Sequence, residues 1–338
     1  MFRIAPSLRS LRLAGNNIRL LSSSVPEQSN KVSKEALIKL RQKTGFSYVN
    51  IRKALVKFGE ENEAEAIKWL KELAAKEGWA KATKLSKRVA SQGFVGLKSR
   101  NNVAALVELN CETDFVARSD EFKNLVEEIT NAVLKAGEEI ASEKAPPEDK
   151  EVVVVPVIES ALHTDKGRNI KEAVTMLVGK LGENITLKKA EILLARDGMN
   201  VYGHVHPNVG TGDVQIGHAA SVLALTRENE SSFSTNVLAN QICQHIIGMK
   251  PTELGIPADE HTKKRNEHLV KKEAEHVSED DELNAFQEVA TPYIDEDETQ
   301  LLRQAFFFHP EQTIHEYLQG HSAQVHWFLR AQVGGGQE

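Results

Sequence analysis

Two cysteines in 338 residues, Cys111 and Cys243, are too few and too far apart for a disulfide framework or a zinc-ligand set. Thiols of this kind are core residues of a chain kept in a reducing compartment. Long apolar runs are missing too: nowhere do about 18 apolar residues follow one another, so no segment is built to span a membrane as a helix. Nor is there a surplus of positive charge. Lys and Arg number 42 against 48 Asp and Glu, a net charge of −6. That excludes a chain made to coat nucleic acid, since phosphate binding needs a positive field or a basic face. What remains, 41% hydrophobic and 27% charged residues, is the balance of a globular protein, and the length is enough for two domains with their own cores.

Catalytic signatures are equally scarce. Gly210-Thr211-Gly212-Asp213 lacks the later Gly-Lys-Ser/Thr of a phosphate-cradling loop, and Gly210, Gly212 and Gly217 have the wrong spacing for a dinucleotide fingerprint. There is no G-x-S-x-G elbow and no H-E-x-x-H. His204, His206 and His218 would need adjacent strands and an acidic or thiolate neighbour to hold a metal, and none is in evidence. Cys111 and His163 are a nucleophile and a base by type only, with nothing in the sequence to bring them together. No catalytic residue, metal or cofactor is expected.

Residues 1–26 contain Arg3, Arg9, Arg12 and Arg19 among single apolar residues, then Ser22-Ser23-Ser24, without a lysine or an acid. This is the pattern of a mitochondrial transit peptide, and it places the rest of the chain in the matrix. Over 31–75, apolar residues recur at helical spacing between glycine stops at Gly45, Gly59 and Gly78. The spacing predicts three helices, capped by Ser33, by Ser47, and by Asn62 with Glu65 as its reciprocal acid. Such a unit has no cleft for catalysis and suits docking. Residues 76–100 carry seven lysines and arginines against Glu77 and read as a basic connector.

Beyond it, strands and helices alternate. Period-2 apolar residues predict strands at 102–110, 185–195, 201–206, 219–225 and 325–331. Helical stripes cover 122–141, capped by Ser119, the stretch opened by Asn169 and Glu172, and 238–248. The division is into two related modules, 101–200 and 201–333, the second carrying a charged helical excursion at about 259–282, and 334–338 as a flexible tail. The fold class is α+β.

Asn110-Cys111-Glu112-Thr113-Asp114-Phe115-Val116-Ala117 joins a strand to a helix. Element junctions on a rigid scaffold are where functional residues are presented. Spacing alone leaves two readings of Phe115: a core plug beneath the next helix, with Asp114 as a turn former, or an exposed wedge.

At these residues the sequence resembles elongation factor Ts in its mitochondrial form. The words that carry the resemblance are Leu40-Arg41-Gln42-Lys43-Thr44-Gly45, Val107 through Ala117, Gly182-Glu183-Asn184-Ile185, and Ile242 through Pro251. The resemblance implies a ubiquitin-associated-like three-helix domain followed by a core of two related α+β subdomains. It implies a guanine-nucleotide exchange factor whose partner is mitochondrial elongation factor Tu, in a one-to-one or two-to-two complex, with no membrane and no obligatory nucleic acid. In that reading Asp114 and Phe115, flanked by Thr113 and Val116, enter the partner near its magnesium and phosphate region, and GDP leaves. A partner-contacting family histidine stands in a Tyr-x-His setting. Tyr202-Gly203-His204-Val205-His206 admits two registers; His206 is the residue carried over, with His204 as the alternative. The resemblance also implies an inserted coiled-coil hairpin in bacterial members, and 259–282 is too short and too polar for one.

Overall fold

A computed structural model describes residues 32–228, 233–257 and 297–335. The expected transit segment and the charged excursion at 259–282 lie outside the described residues.

The chain opens with three helices, α1 (Lys34–Thr44), α2 (Tyr48–Phe58) and α3 (Glu63–Leu85). Ser33 accepts from the Ala36 N–H and Ser47 from the Asn50 N–H, so both serines serve as the expected caps. Gly45 ends α1 at φ 68°, a left-handed turn that costs glycine nothing. Leu40, Ile51, Leu55 and Leu70 close a small core of their own. Two expectations fail here. Asn62 makes no cap bond at the start of α3; its amide instead donates to the Phe58 carbonyl at the end of α2. Nor does Gly78 stop α3. The helix runs on to Leu85 because Gly78 is the point where it meets α6 (Ile170–Leu181). A Cβ on Gly78 would stand 2.5 Å from the Thr175 carbonyl oxygen, and one on Gly179 would stand 2.4 Å from the Ala74 carbonyl oxygen. Bare glycine backbones on both helices let the axes approach, and the Lys81 ammonium seals the crossing on the Gly179 carbonyl.

The supposed basic connector at 76–100 is therefore structured: its first part is the end of α3, and its last part is β1 (Gln92–Arg100). That strand pairs antiparallel with β2 (Val103–Cys111). Its glycines hid it in the sequence. Gly96 faces α5 (Asp120–Glu143), where a Cβ would run into Thr130 and Val126. The sheet is completed by β3 (Val152–Pro156), β4 (Ile185–Ala195) and β6 (Gln215–Gly217), in the order β3-β4-β2-β1-β6. A second sheet has the order β10-β7-β5, from β5 (Asn200–His206), β7 (Ala219–Arg227) and β10 (Ala323–Gln332).

β2 is buried on both faces, and its alternation shows the layering. Val103, Ala105, Val107 and Leu109 face α5 and α6, while Ala104 and Leu106 face the second sheet through Val201, Val205 and Val222. The far side of the second sheet is covered by α7 (Thr235–Met249) and α8 (Ile314–Gly320), packed on Leu223 and Leu225. Helices, sheet, sheet and helices thus form a mixed α+β core. β8 (Ala305–Phe306) and β9 (His309–Thr313) make a small hairpin over α7. It is pinned by His245, whose Nδ1 accepts from the Phe307 N–H and whose Nε2 donates to Gln304. The tail is not wholly loose: the Gly334 N–H donates to Glu108, a carboxylate buried in β2.

Candidate functional site

β2 leaves the sheet at Cys111 and turns at once into α4 (Asp114–Ala117), a single turn ahead of α5. One turn has almost no stability of its own, so its orientation must be imposed from outside. Thr113 caps it by accepting from the Val116 N–H. The Thr113 N–H and hydroxyl both donate to the Glu183 carboxylate, at 3.1 and 2.8 Å. In the reverse direction, the Asn184 N–H donates to Glu112 at 2.7 Å, and the Asn184 amide donates to the Arg88 carbonyl at 2.7 Å. The turn after α6 is thus buckled to the corner after β2. Spacing gives no sign of this, because the partners stand about seventy positions apart; Gly182-Glu183-Asn184 was legible only as a word shared with a family.

The buckle decides the direction of Phe115. Ala117 is buried and Val116 is half-buried against the α5–α6 core, so Phe115 is turned outward, 83% exposed. The core-plug reading is overturned. Asp114 is half-exposed and meets Arg118 one turn later at 3.4 Å. Cys111 is fully buried, its thiol pushed up to about 12 by burial and by the Glu183 carboxylate, and its Sγ donates to the Thr113 carbonyl. It stays protonated and serves the corner rather than any nucleophilic chemistry.

Phe115 stands as a ridge between two hollows. One, of about 620 Å³, lies toward the helical unit, where Ile38, Arg41, Gln42 and Tyr48 face Phe115 and Val116. The Arg41 guanidinium lies 4.5 Å from the Tyr48 ring centroid, so this wall presents a stacked cation and aromatic pair. The other, of about 510 Å³, lies toward β1 and is lined by Phe94, Glu112, Asp114 and His218. His206 is exposed at the end of β5, paired across the ladder with Ala219, and lines neither hollow. His204 is half-buried in the same strand and is pushed below the ordinary histidine value by burial and by the neighbouring His206. Among the described residues no cluster of His, Cys, Asp and Glu could hold a metal ion, and no helix is long and apolar enough to cross a membrane.

The site is therefore a presented apolar side chain on a braced corner, with a carboxylate beside it and receptive surface on both flanks. Such an arrangement suits contact with another protein better than catalysis. Comparison with known proteins finds the same family in both halves of the chain. The family model described as Elongation factor TS matches residues 112–335, and the model described as Elongation factor Ts, mitochondrial, N-terminal, matches residues 18–80. A relative from Caenorhabditis elegans, named Elongation factor Ts, mitochondrial, is 44% identical over 335 residues, covering 99% of each chain. One of the same name from Brugia malayi is 45% identical, over 93% of this chain and 92% of its own. Another from Drosophila melanogaster is 32% identical, over 90% and 87%.

Proposed function

The chain belongs to the elongation factor Ts family, and we propose that Asp114 and Phe115 are the element with which it drives nucleotide exchange. The protein is a mitochondrial translation elongation factor that promotes GDP release from mitochondrial elongation factor Tu, without covalent chemistry of its own. The observation that carries the site assignment is the outward aim of Phe115, 83% exposed on a corner braced by Glu183 and Asn184.

An exchange factor works by linkage. It loosens GDP by the same factor by which GDP loosens it, so it must bind the nucleotide-free partner more tightly than the loaded one. A rigid aromatic presented to a partner supplies such binding at low entropic cost. Phe115 enters the nucleotide-binding domain as a wedge, Asp114 contributes polar contacts, and Thr113 and Val116 hold and flank them. The three-helix unit, of the ubiquitin-associated type, is the docking arm. Its wall of Ile38, Arg41 and Tyr48 across the first hollow makes one continuous surface with the wedge. The two sheets with their helices correspond to the two related α+β subdomains, except that β6, from the second module, pairs in the first sheet, and His206 contacts the same partner domain at the end of β5.

Stopped-flow release of fluorescent GDP from mitochondrial elongation factor Tu tests this. Truncating an interface anchor of this kind costs about 2 kcal/mol or more, roughly a 30-fold loss of exchange efficiency for Phe115→Ala. The melting temperature should hardly move, because the ring contributes little to the core. A folded Phe115→Ala chain that accelerates GDP release as well as the parent would sink the wedge.

A further inference from the structure

The hollow on the far side of Phe115 from the helical unit has its own design. Its floor is the buried Phe94 ring, and the His218 ring packs against it at a 45° tilt, with centroids 4.9 Å apart. His218 is exposed, and its backbone is fixed from both sides. The preceding Gly217 pairs with Val95 of β1, and the His218 carbonyl accepts from the Val333 N–H at 2.9 Å. An exposed ring on so rigid a mount adds little to the core and has a free face. The walls carry two carboxylates, Glu112 and Asp114, and one guanidinium, Arg118. Both oxygens of Glu112 are engaged, by the Asn184 N–H and by Arg88. Asp114 is half-exposed, with one oxygen on Arg118, whose own side chain is largely in solvent.

An exposed aromatic ring beside an accessible carboxylate is the environment that a guanidinium matches, by stacking and by a directed ion pair together. We propose that this hollow is a second subsite of the exchange surface. In it, a planar cationic side chain of the partner's nucleotide-binding domain stacks on His218 and is met by the Asp114 carboxylate. The proposal rests on Phe115 being the wedge, since the hollow shares that residue and Asp114 with it. His218 is then a specificity residue. The wedge drives release, and the subsite sets how tightly this factor engages its own partner.

The test separates affinity from maximal rate in the stopped-flow GDP-release assay with mitochondrial elongation factor Tu. His218→Ala should raise the half-saturating factor concentration about tenfold, the scale of one stacked cation, and leave the maximal rate near that of the parent. His218→Phe, which keeps the ring, should stay close to the parent. His218→Ala combined with Asp114→Asn should be little worse than the poorer single variant, because both remove the same occupant. Arg118→Ala removes a competing guanidinium without touching the Phe94–His218 contact, and should lower the half-saturating concentration.

A parent-like His218→Ala overturns the subsite. A double variant whose effect is the product of the two singles overturns the shared occupant. A weaker or unchanged Arg118→Ala overturns its positive charge. Phe115→Ala in the same series keeps the two proposals apart: if it alone loses the maximal rate, the wedge stands whatever His218 does. If it does not, the wedge fails independently of the subsite.

Discussion

Glu183 touches no partner in the scheme above, yet its loss should impair exchange. Glu183→Ala removes the carboxylate that accepts from both the Thr113 N–H and the Thr113 hydroxyl. A hydrogen bond to a charged acceptor contributes about 1.5–3 kcal/mol when water is excluded. Thr113 and Glu183 are only partly buried, so water replaces part of what is lost, and about 2 kcal/mol for the pair is the better expectation. The larger effect is on order. α4 has four residues, and fixing the backbone of one residue costs about 1–2 kcal/mol. A corner that frays in the free factor must be reordered on each encounter. Two residues reordered at that cost correspond to a loss of about 30-fold or more in exchange efficiency.

Glu183→Gln should fall between parent and alanine, since one amide oxygen can accept from one donor while its NH2 opposes the other. Thr113→Val removes the hydroxyl from the same bond and from the cap on Val116. Its effect on GDP release should therefore be non-additive with Glu183→Ala. The assay is stopped-flow GDP release, with thermal unfolding of each variant alongside. Exchange by Glu183→Ala at the parent rate would refute the reasoning, for it would mean that the corner holds its direction without the buckle.

Two further outcomes follow from the packing. In Gly78→Ala the new residue suits a helix better by about 1 kcal/mol, but its Cβ stands 2.5 Å from the Thr175 carbonyl oxygen. Overpacking of about 1–3 kcal/mol should win and lower the melting temperature, and a raised one would show that α3 and α6 can slide apart freely. His245 is buried, and burial pushes it down to about 4. The unfolded chain, with a histidine value of about 6.5, binds more protons than the folded one between those limits. Its contribution is therefore complete at neutral pH and is lost as pH falls from about 6.5 to about 4, roughly 3 kcal/mol in all. The stability difference between parent and His245→Asn should narrow over that window in denaturant titrations; a difference constant with pH would count against it.

The parts of the fold that were legible in the sequence are those where the element's own burial decides. Val103 to Leu109 is a nearly continuous apolar run because β2 has a helix layer on one side and a sheet on the other, and the stripe at 122–141 repeats because α5 buries a single face. The parts that were not legible are those where a neighbour decides. β1 contains two glycines and reads as connector; it is a strand because β2 and β6 flank it, and Gly96 is bare because α5 lies on it. Gly78 reads as a stop and serves as a crossing point. At the site, the Asp-Phe pair was visible but its direction was not, since a single phenylalanine beside a helix fits core and surface equally well. Thr113, Val116 and Ala117 settle it only once α4 exists. The subsite proposed at His218 has no signal of its own in the sequence, where that residue stands out only as one of three histidines; it depends on the Phe94 ring, more than a hundred positions away.

This distribution of signals follows from what an exchange factor must do. With no bond to break, its output is the difference between two binding free energies, and any energy spent on ordering its own surface is subtracted from that difference. The selective requirement therefore falls on the struts as heavily as on the contacts. Glu183 and Asn184 hold the wedge, Glu112 ties the corner back to them, and the glycine crossing of α3 on α6 fixes the helical wall opposite. None of these struts needs to meet the partner, and each joins segments far apart in the chain. The sites most informative about exchange include residues that an alanine scan of partner contacts alone would pass over. Their signature is a loss of exchange out of proportion to any contact they make, with partner binding restored when the strut is rebuilt from the other side.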